Sequence, residues 1–177
     1  WLWINDELVV FEGGLKRGPN PQDTYYDEVD ISSYLKRGDN TISILVWYFG
    51  KHGFSHKSSG KAGLLFDCQA SGLEILSDNS WKCIVNEAYQ TCESPEPNYR
   101  LPESDILYDA RKDMGEWYKQ GVHLDCDYAS VLQKAGGLPW NKLVKRPIPL
   151  WKFSKLKNYE KVYKNKDSLI CVLPYNA

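Results

Sequence analysis

Three pairs of acidic residues stand close together in the chain: Asp105 with Asp109, Asp125 with Asp127, and Glu28 with Asp30. Two carboxylates held about 5 to 9.5 Å apart across a cleft are what acid–base hydrolysis of a glycosidic bond requires. Each pair has a plainer reading as capping, turn chemistry or a solvated strand face, and Asp127 is better used as a helix N-cap. His52, His56 and His123, together with Ser58-Ser59-Gly60, supply the residue types of a nucleophilic hydrolase. Those serines lie in a loop, however, and no Gly-x-Ser-x-Gly elbow leads into a helix. His52 and His56 are four apart, but glycine-broken sequence does not align two imidazoles, which argues against zinc. Cys68, Cys83, Cys92, Cys126 and Cys171 are odd in number and contain no CxxC pair, which argues against a zinc ribbon. A disulfide between Cys68 and Cys83 on neighbouring strands is one alternative, and free buried thiols are the favoured one. The sequence therefore assigns no catalytic residue, no metal ligand and no cofactor.

Recognition is better served than catalysis. Trp47, Tyr48 and Phe49 close a long apolar run, and Lys51, His52, Phe54, His56 and Lys57 follow at once. Aromatic faces beside polar donors suit a sugar, because a buried ligand hydroxyl must be paired. The same residues suit a contact with another domain, the rings as anchors and the polar groups as rim. Trp47, Tyr48, Phe49, His52, Phe54 and His56 are thus the candidate contact residues, for carbohydrate or for a neighbouring domain. Trp81 is expected in the core. Trp140, Trp151 and Phe153 are expected to anchor an extended tail.

Composition narrows the partners. Lys plus Arg is 22 and Asp plus Glu is 23 in 177 residues, a net charge of −1. That balance argues against a nucleic-acid partner and against a polybasic membrane surface. No run approaches the roughly 18 apolar residues of a membrane helix. Trp1 starts directly on strand-like sequence with no leader pattern, so the chain is read as the trimmed start of a longer one.

The elements that would position these residues are strands. Tyr26 to Gly50 reads as strand, one helical turn, tight turn and long strand. Asp30 or Ser32 caps the turn bearing Tyr34 and Leu35, and Gly38 takes the left-handed position that stops it. Thr41 to Phe49 alternates at first and is apolar on both faces from Leu45, which predicts a central strand covered on both sides. Trp1 to Phe11 reads as a hairpin turning at Asn5-Asp6. Further strands are expected at Tyr25 to Ile31, Ala62 to Ala70, Leu73 to Leu76, Trp81 to Ala88, Ile106 to Arg111 and Ser168 to Leu173. Asp127 should cap a short helix carrying Tyr128, Val131, Leu132 and Ala135. Pro139, Pro147 and Pro149 keep Leu138 to Lys152 extended. The fold class is all-β: an antiparallel β-sandwich or jelly roll of the galactose-binding-like kind, with one short helix and an extended C-terminal segment. Residues 1–92 form the main sandwich. Residues 93–137 add a crossover, a strand and the helix. Residues 138–177 are a linker and final strand leading to a further domain.

Several segments resemble one family. The acidic strand, D-I-S-S-Y-L-K-R-G-D-N and long apolar strand of 26–50 are similar to the N-terminal β-sandwich of bacterial α-L-rhamnosidases, glycoside hydrolase family 78. So are the opening Trp3 to Val10, with Asp6 in place of a turn Gly, Ser55 to Phe66, Y-D-A-R at 108–111, and Leu143 to Leu150. Related modules occur in β-galactosidases. The resemblance implies a non-catalytic accessory domain that braces the helical catalytic barrel of the same polypeptide and binds carbohydrate. The parent enzyme would release terminal α-L-rhamnose, in the periplasm or outside the cell. A stand-alone lectin-like module and an accessory domain of another large glycosidase stay open beside it.

Overall fold

A computed structural model of the chain describes residues 1–13, 18–52, 58–70, 72–91, 106–154 and 156–174. These residues are all-β. The strands are β1 (Leu2–Ile4), β2 (Glu7–Val10), β3 (Thr24–Tyr26), β4 (Ile42–Ile44), β5 (Asp67–Ala70), β6 (Leu73–Leu76), β7 (Lys82–Cys83), β8 (Tyr89–Thr91), β9 (Ile106–Tyr108), β10 (Asp127–Tyr128), β11 (Leu143–Lys145), β12 (Lys161–Asn165) and β13 (Ser168–Val172). Single 3-10 turns occupy Ser32–Tyr34 and Ala110–Lys112. The strands pair as one three-stranded sheet, β2-β1-β4, and five two-stranded ladders.

The first hairpin forms where the sequence places it. Asn5 and Asp6 connect β1 to β2 with φ of 49° and 74°, the left-handed pair that a two-residue hairpin turn needs. Period-two alternation then sends Ile4 to one face of the sheet and Trp3 to the other. Ile4, Val9 and Val10 are buried, with Leu2, Val29, Ile31, Tyr34, Leu35, Ile42 and Leu150 packed around them. The 29–35 segment covers this face because its corner is fixed locally: the Asp30 carboxylate accepts from the Ser32 N–H at 2.9 Å. Gly38 stands at φ 91°, as the turn into β4 requires.

Three expectations are corrected. The long central strand is regular only over Ile42–Ile44, extended by a reciprocal pair of bonds, Leu45 N to Trp1 O and Trp1 N to Leu45 O, each at 3.0 Å. From Val46 to Phe49 no ladder partner continues it among the described residues, and Val46 and Tyr48 are exposed rather than covered. The predicted helix at 127–135 is absent. Asp127 and Tyr128 instead form β10 against β7, and Ala129 N donates to Trp81 O at 2.8 Å. Tyr128, Val131 and Leu132, the intended apolar stripe, are exposed. Without a body to bury that stripe, a short helix has little to hold it. Finally, the pairing is not wholly antiparallel. β11 runs parallel to β3, with Leu143 opposite Thr24 and Lys145 opposite Tyr26, the direction that a long crossover permits.

The C-terminal stretch 138–150 docks onto the earlier strands. Thr24 Oγ1 donates to Trp140 O at 2.7 Å. The Trp140 indole lies over Gly63, where a Cβ would come within 2.8 Å of the ring. Arg146 pairs with Asp27 at 2.6 Å, both side chains largely buried, and Lys145 pairs with Glu28. The β5–β6 ladder is a hairpin with Gly72 at φ 78° in its turn. β12 and β13 make the last hairpin.

Candidate functional site

The candidate contact residues divide between two faces. Val46 to Phe49 alternates, so Trp47 and Phe49 turn inward while Tyr48 is 42% exposed. Trp47 meets Phe49 at 6.5 Å and Tyr89 of β8 at 5.8 Å, edge to face. Tyr89 meets Tyr108 of β9 at 5.0 Å. Thr91 Oγ1 donates to Phe49 O at 3.3 Å, tying the run to β8. Tyr108 donates to the Asp113 carboxylate, which pushes its phenol pKa up to about 12. His52 is exposed, and its Nδ1 accepts from Ser58 N at 3.1 Å. Phe54 and His56 lie outside the described residues. The structure therefore joins Trp47 and Phe49 into one aromatic cluster, with Tyr89 and Tyr108 as members the sequence did not flag. It does not bring Tyr48 or His52 into that cluster.

The acidic pairs fare differently from one another. Glu28 is held by Lys145, whose ammonium lowers its pKa below the usual carboxylate range. Asp30 is lowered by hydrogen bonds from the Ser32 hydroxyl and N–H. Asp109 forms a local fork with Arg111, Nε to Oδ1 and Nη2 to Oδ2 both at 2.8 Å, which lowers its pKa. Each of these carboxylates is thus occupied by a cap or an ion pair, and Asp105 lies outside the described residues. Asp125 and Asp127 do line one hollow of about 240 Å³, with Cys83, Ile84 and Val85. Both residues are exposed at the rim of this hollow, and Asp127 is taken up in the β10 pairing with β7.

Trp81 is half-buried, its Nε1 donating to Leu76 O at 2.8 Å and its ring 5.3 Å from Phe66. Phe153 meets Phe11 at 6.0 Å, whereas Trp151 is 65% exposed. Cys68, Cys83, Cys126 and Cys171 are free thiols; Cys83 and Cys171 are exposed, not buried as expected. No group of three or more His, Cys, Asp or Glu among the described residues is placed to hold a metal. No helix among them is long and apolar enough to cross a membrane.

A second aromatic cluster escaped the sequence reading. Trp3 stacks on Tyr118 with centroids 5.0 Å apart and planes 17° from parallel. Trp117 stands edge-on to both, at 5.3 Å from Trp3 and 6.0 Å from Tyr118. The segment carrying Trp117 and Tyr118 is bounded by Gly115 and Gly121, both at positive φ. It is latched to the first sheet twice. Gln120 N donates to Asp6 Oδ1 at 2.7 Å, and Ser43 Oγ donates to Tyr118 O at 3.1 Å. The Gly-E-W-Y-K-Q-Gly pattern was the available signal, two rings and two charges between turn-forming glycines. Compared with known proteins, the chain matches no family model, no curated protein and no solved structure.

Proposed function

We propose that this chain is a non-catalytic accessory domain of an α-L-rhamnosidase-like glycoside hydrolase, bracing a catalytic domain and holding carbohydrate near it. In this reading the short sheets are the parts of a β-sandwich of jelly-roll type, completed against a larger neighbour. One observation supports it most. The chain exposes 14112 Å², against about 8,800 Å² for a compact monomer of this mass. Large apolar side chains are part of that surface, among them Val85, Val131, Leu132, Ile148, Trp151 and Leu169. Apolar surface of that extent is what a domain presents to a partner. The −1 net charge leaves little long-range electrostatic attraction, so complementarity of shape and apolar area would carry the contact.

The test mixes the purified chain with the separately expressed helical barrel of the same polypeptide. A stoichiometric complex on size exclusion is the expected result. Failure to associate, together with release of aryl alcohol from an aryl α-L-rhamnoside by the chain alone, would overturn the reading.

A further inference from the structure

We propose that Trp3, Trp117 and Tyr118 form a saccharide-binding platform that takes a neutral pyranose at the edge of the first sheet. The inference rests on the carbohydrate part of the function proposed above and moves its location away from the Trp47 run. Trp117 stands close to perpendicular to the stacked Trp3–Tyr118 pair, so the rings meet as a corner. All three are only half-buried. The C–H face of a pyranose carries slight positive charge and packs on the electron-rich face of an aromatic ring. Two ring planes at a right angle offer such a contact to one sugar face and one sugar edge together.

The rim supplies the polar half of the recognition. Lys119 pairs with Glu116 at 2.6 Å, with side chains 40% and 64% exposed. Lys36 Nζ donates to Gln120 Oε1. An ammonium has three donors and a carboxylate two acceptor oxygens, so this pair keeps capacity for sugar hydroxyls. Because the two charges neutralise each other, the site suits a neutral polyol better than an anion. The backbone is already pinned by Asp6, Ser43 and the Lys119 N to Glu116 O bond of 2.9 Å, which reduces the ordering cost of binding.

The experiment follows the indole N–H signals of the full chain by NMR while methyl α-L-rhamnoside, methyl β-D-galactoside and methyl β-D-glucoside are titrated in turn. Signals are assigned with single Trp→Phe variants. Saturable shifts confined to Trp3 and Trp117 are expected with at least one glycoside. Trp117→Ala should weaken that binding about tenfold or more. Glu116→Ala with Lys119→Ala, one exposed and one partly buried, should weaken it several-fold while the remaining indole signals stay in place. Saturable shifts at Trp47 with Trp3 and Trp117 silent would overturn the platform and leave the carbohydrate reading standing. Silence of every indole toward all three glycosides would overturn both.

Discussion

The side-chain amide of Asn5 donates to Asn40 Oδ1 at 2.8 Å, joining the turn of the first hairpin to the turn that launches β4. The same Asn5 nitrogen donates to Tyr34 O at 2.8 Å, and its Oδ1 accepts from Thr41 N at 3.0 Å. Asn40 in turn donates to Lys36 O and Gly38 O, each at 2.9 Å, and accepts from Lys36 N. Two asparagines therefore satisfy the backbone of a tight corner that neighbouring strands do not pair. Asn5 does so from φ 49°, a conformation asparagine tolerates better than most residues.

Asn5→Ala should lower stability by about 1–3 kcal/mol, since it leaves several polar groups unpaired and strains the turn. Asn40→Ala should cost a similar amount. The double variant should cost less than the sum, because the two share one network. Urea unfolding of the three variants checks this, and strict additivity would contradict it.

Ile4 is fully buried at the centre of the small cluster with Val9 and Val10. Ile4→Ala should cost about 2–5 kcal/mol through lost transfer energy and an unfilled cavity. Few other buried residues compensate, so loss of the β2-β1-β4 sheet should be visible as loss of amide protection in hydrogen exchange.

Gly63 tests the docking of the C-terminal stretch. An added Cβ would stand 2.8 Å from Trp140 Cζ2, inside ordinary contact distance. Gly63→Ala should force the indole away and cost about 1–3 kcal/mol. Trp140→Ala in the Gly63→Ala background should remove that clash, so the pair should couple strongly in a double-mutant cycle.

Tyr108 gives a prediction in pH. Its hydrogen bond to Asp113 favours the protonated phenol and raises its pKa from 10.0 to about 12. A raised folded-state value means the contribution is complete below the unfolded pKa. It is then lost as pH rises through the folded one, so the window lies between these two values. Phenolate absorbance should show one tyrosine titrating late. Tyr108→Phe should abolish that late step, and Asp113→Asn should move it back toward the ordinary range.

How far the sequence announced this arrangement depends on the range of the interaction. The Asn5-Asp6 hairpin and the Gly38 turn are local, set by residues within a few positions, and both were legible. The 3-10 turn at Ser32–Tyr34 also stands where expected, but its N-cap is Ile31 and not Asp30 or Ser32. The end of β4 after Ile44 was not, because a run apolar on both faces signals burial without naming a partner. The helix expected from Tyr128, Val131 and Leu132 failed for a related reason: periodicity describes a stripe, and here nothing among the described residues covers it. The parallel β3–β11 ladder and the Trp3–Tyr118 stack join residues far apart in the chain. Pair contacts of that kind leave no spacing to read.

The exposed apolar surface carries the last prediction. Val85 is 82% exposed and lies between two hollows lined also by Ile84. If this face is reserved for a neighbouring domain, Val85→Lys should change the stability of the isolated chain by no more than about 0.5 kcal/mol, as for other surface substitutions. Under the proposed function, the same variant should weaken association with the neighbouring catalytic domain, since it places an unpaired ammonium in an apolar contact. Urea unfolding and size exclusion of the mixture read the two effects separately. A loss of several kcal/mol in the isolated chain would mean that Val85 is covered by the chain itself. The excess apolar surface would then no longer argue for a partner.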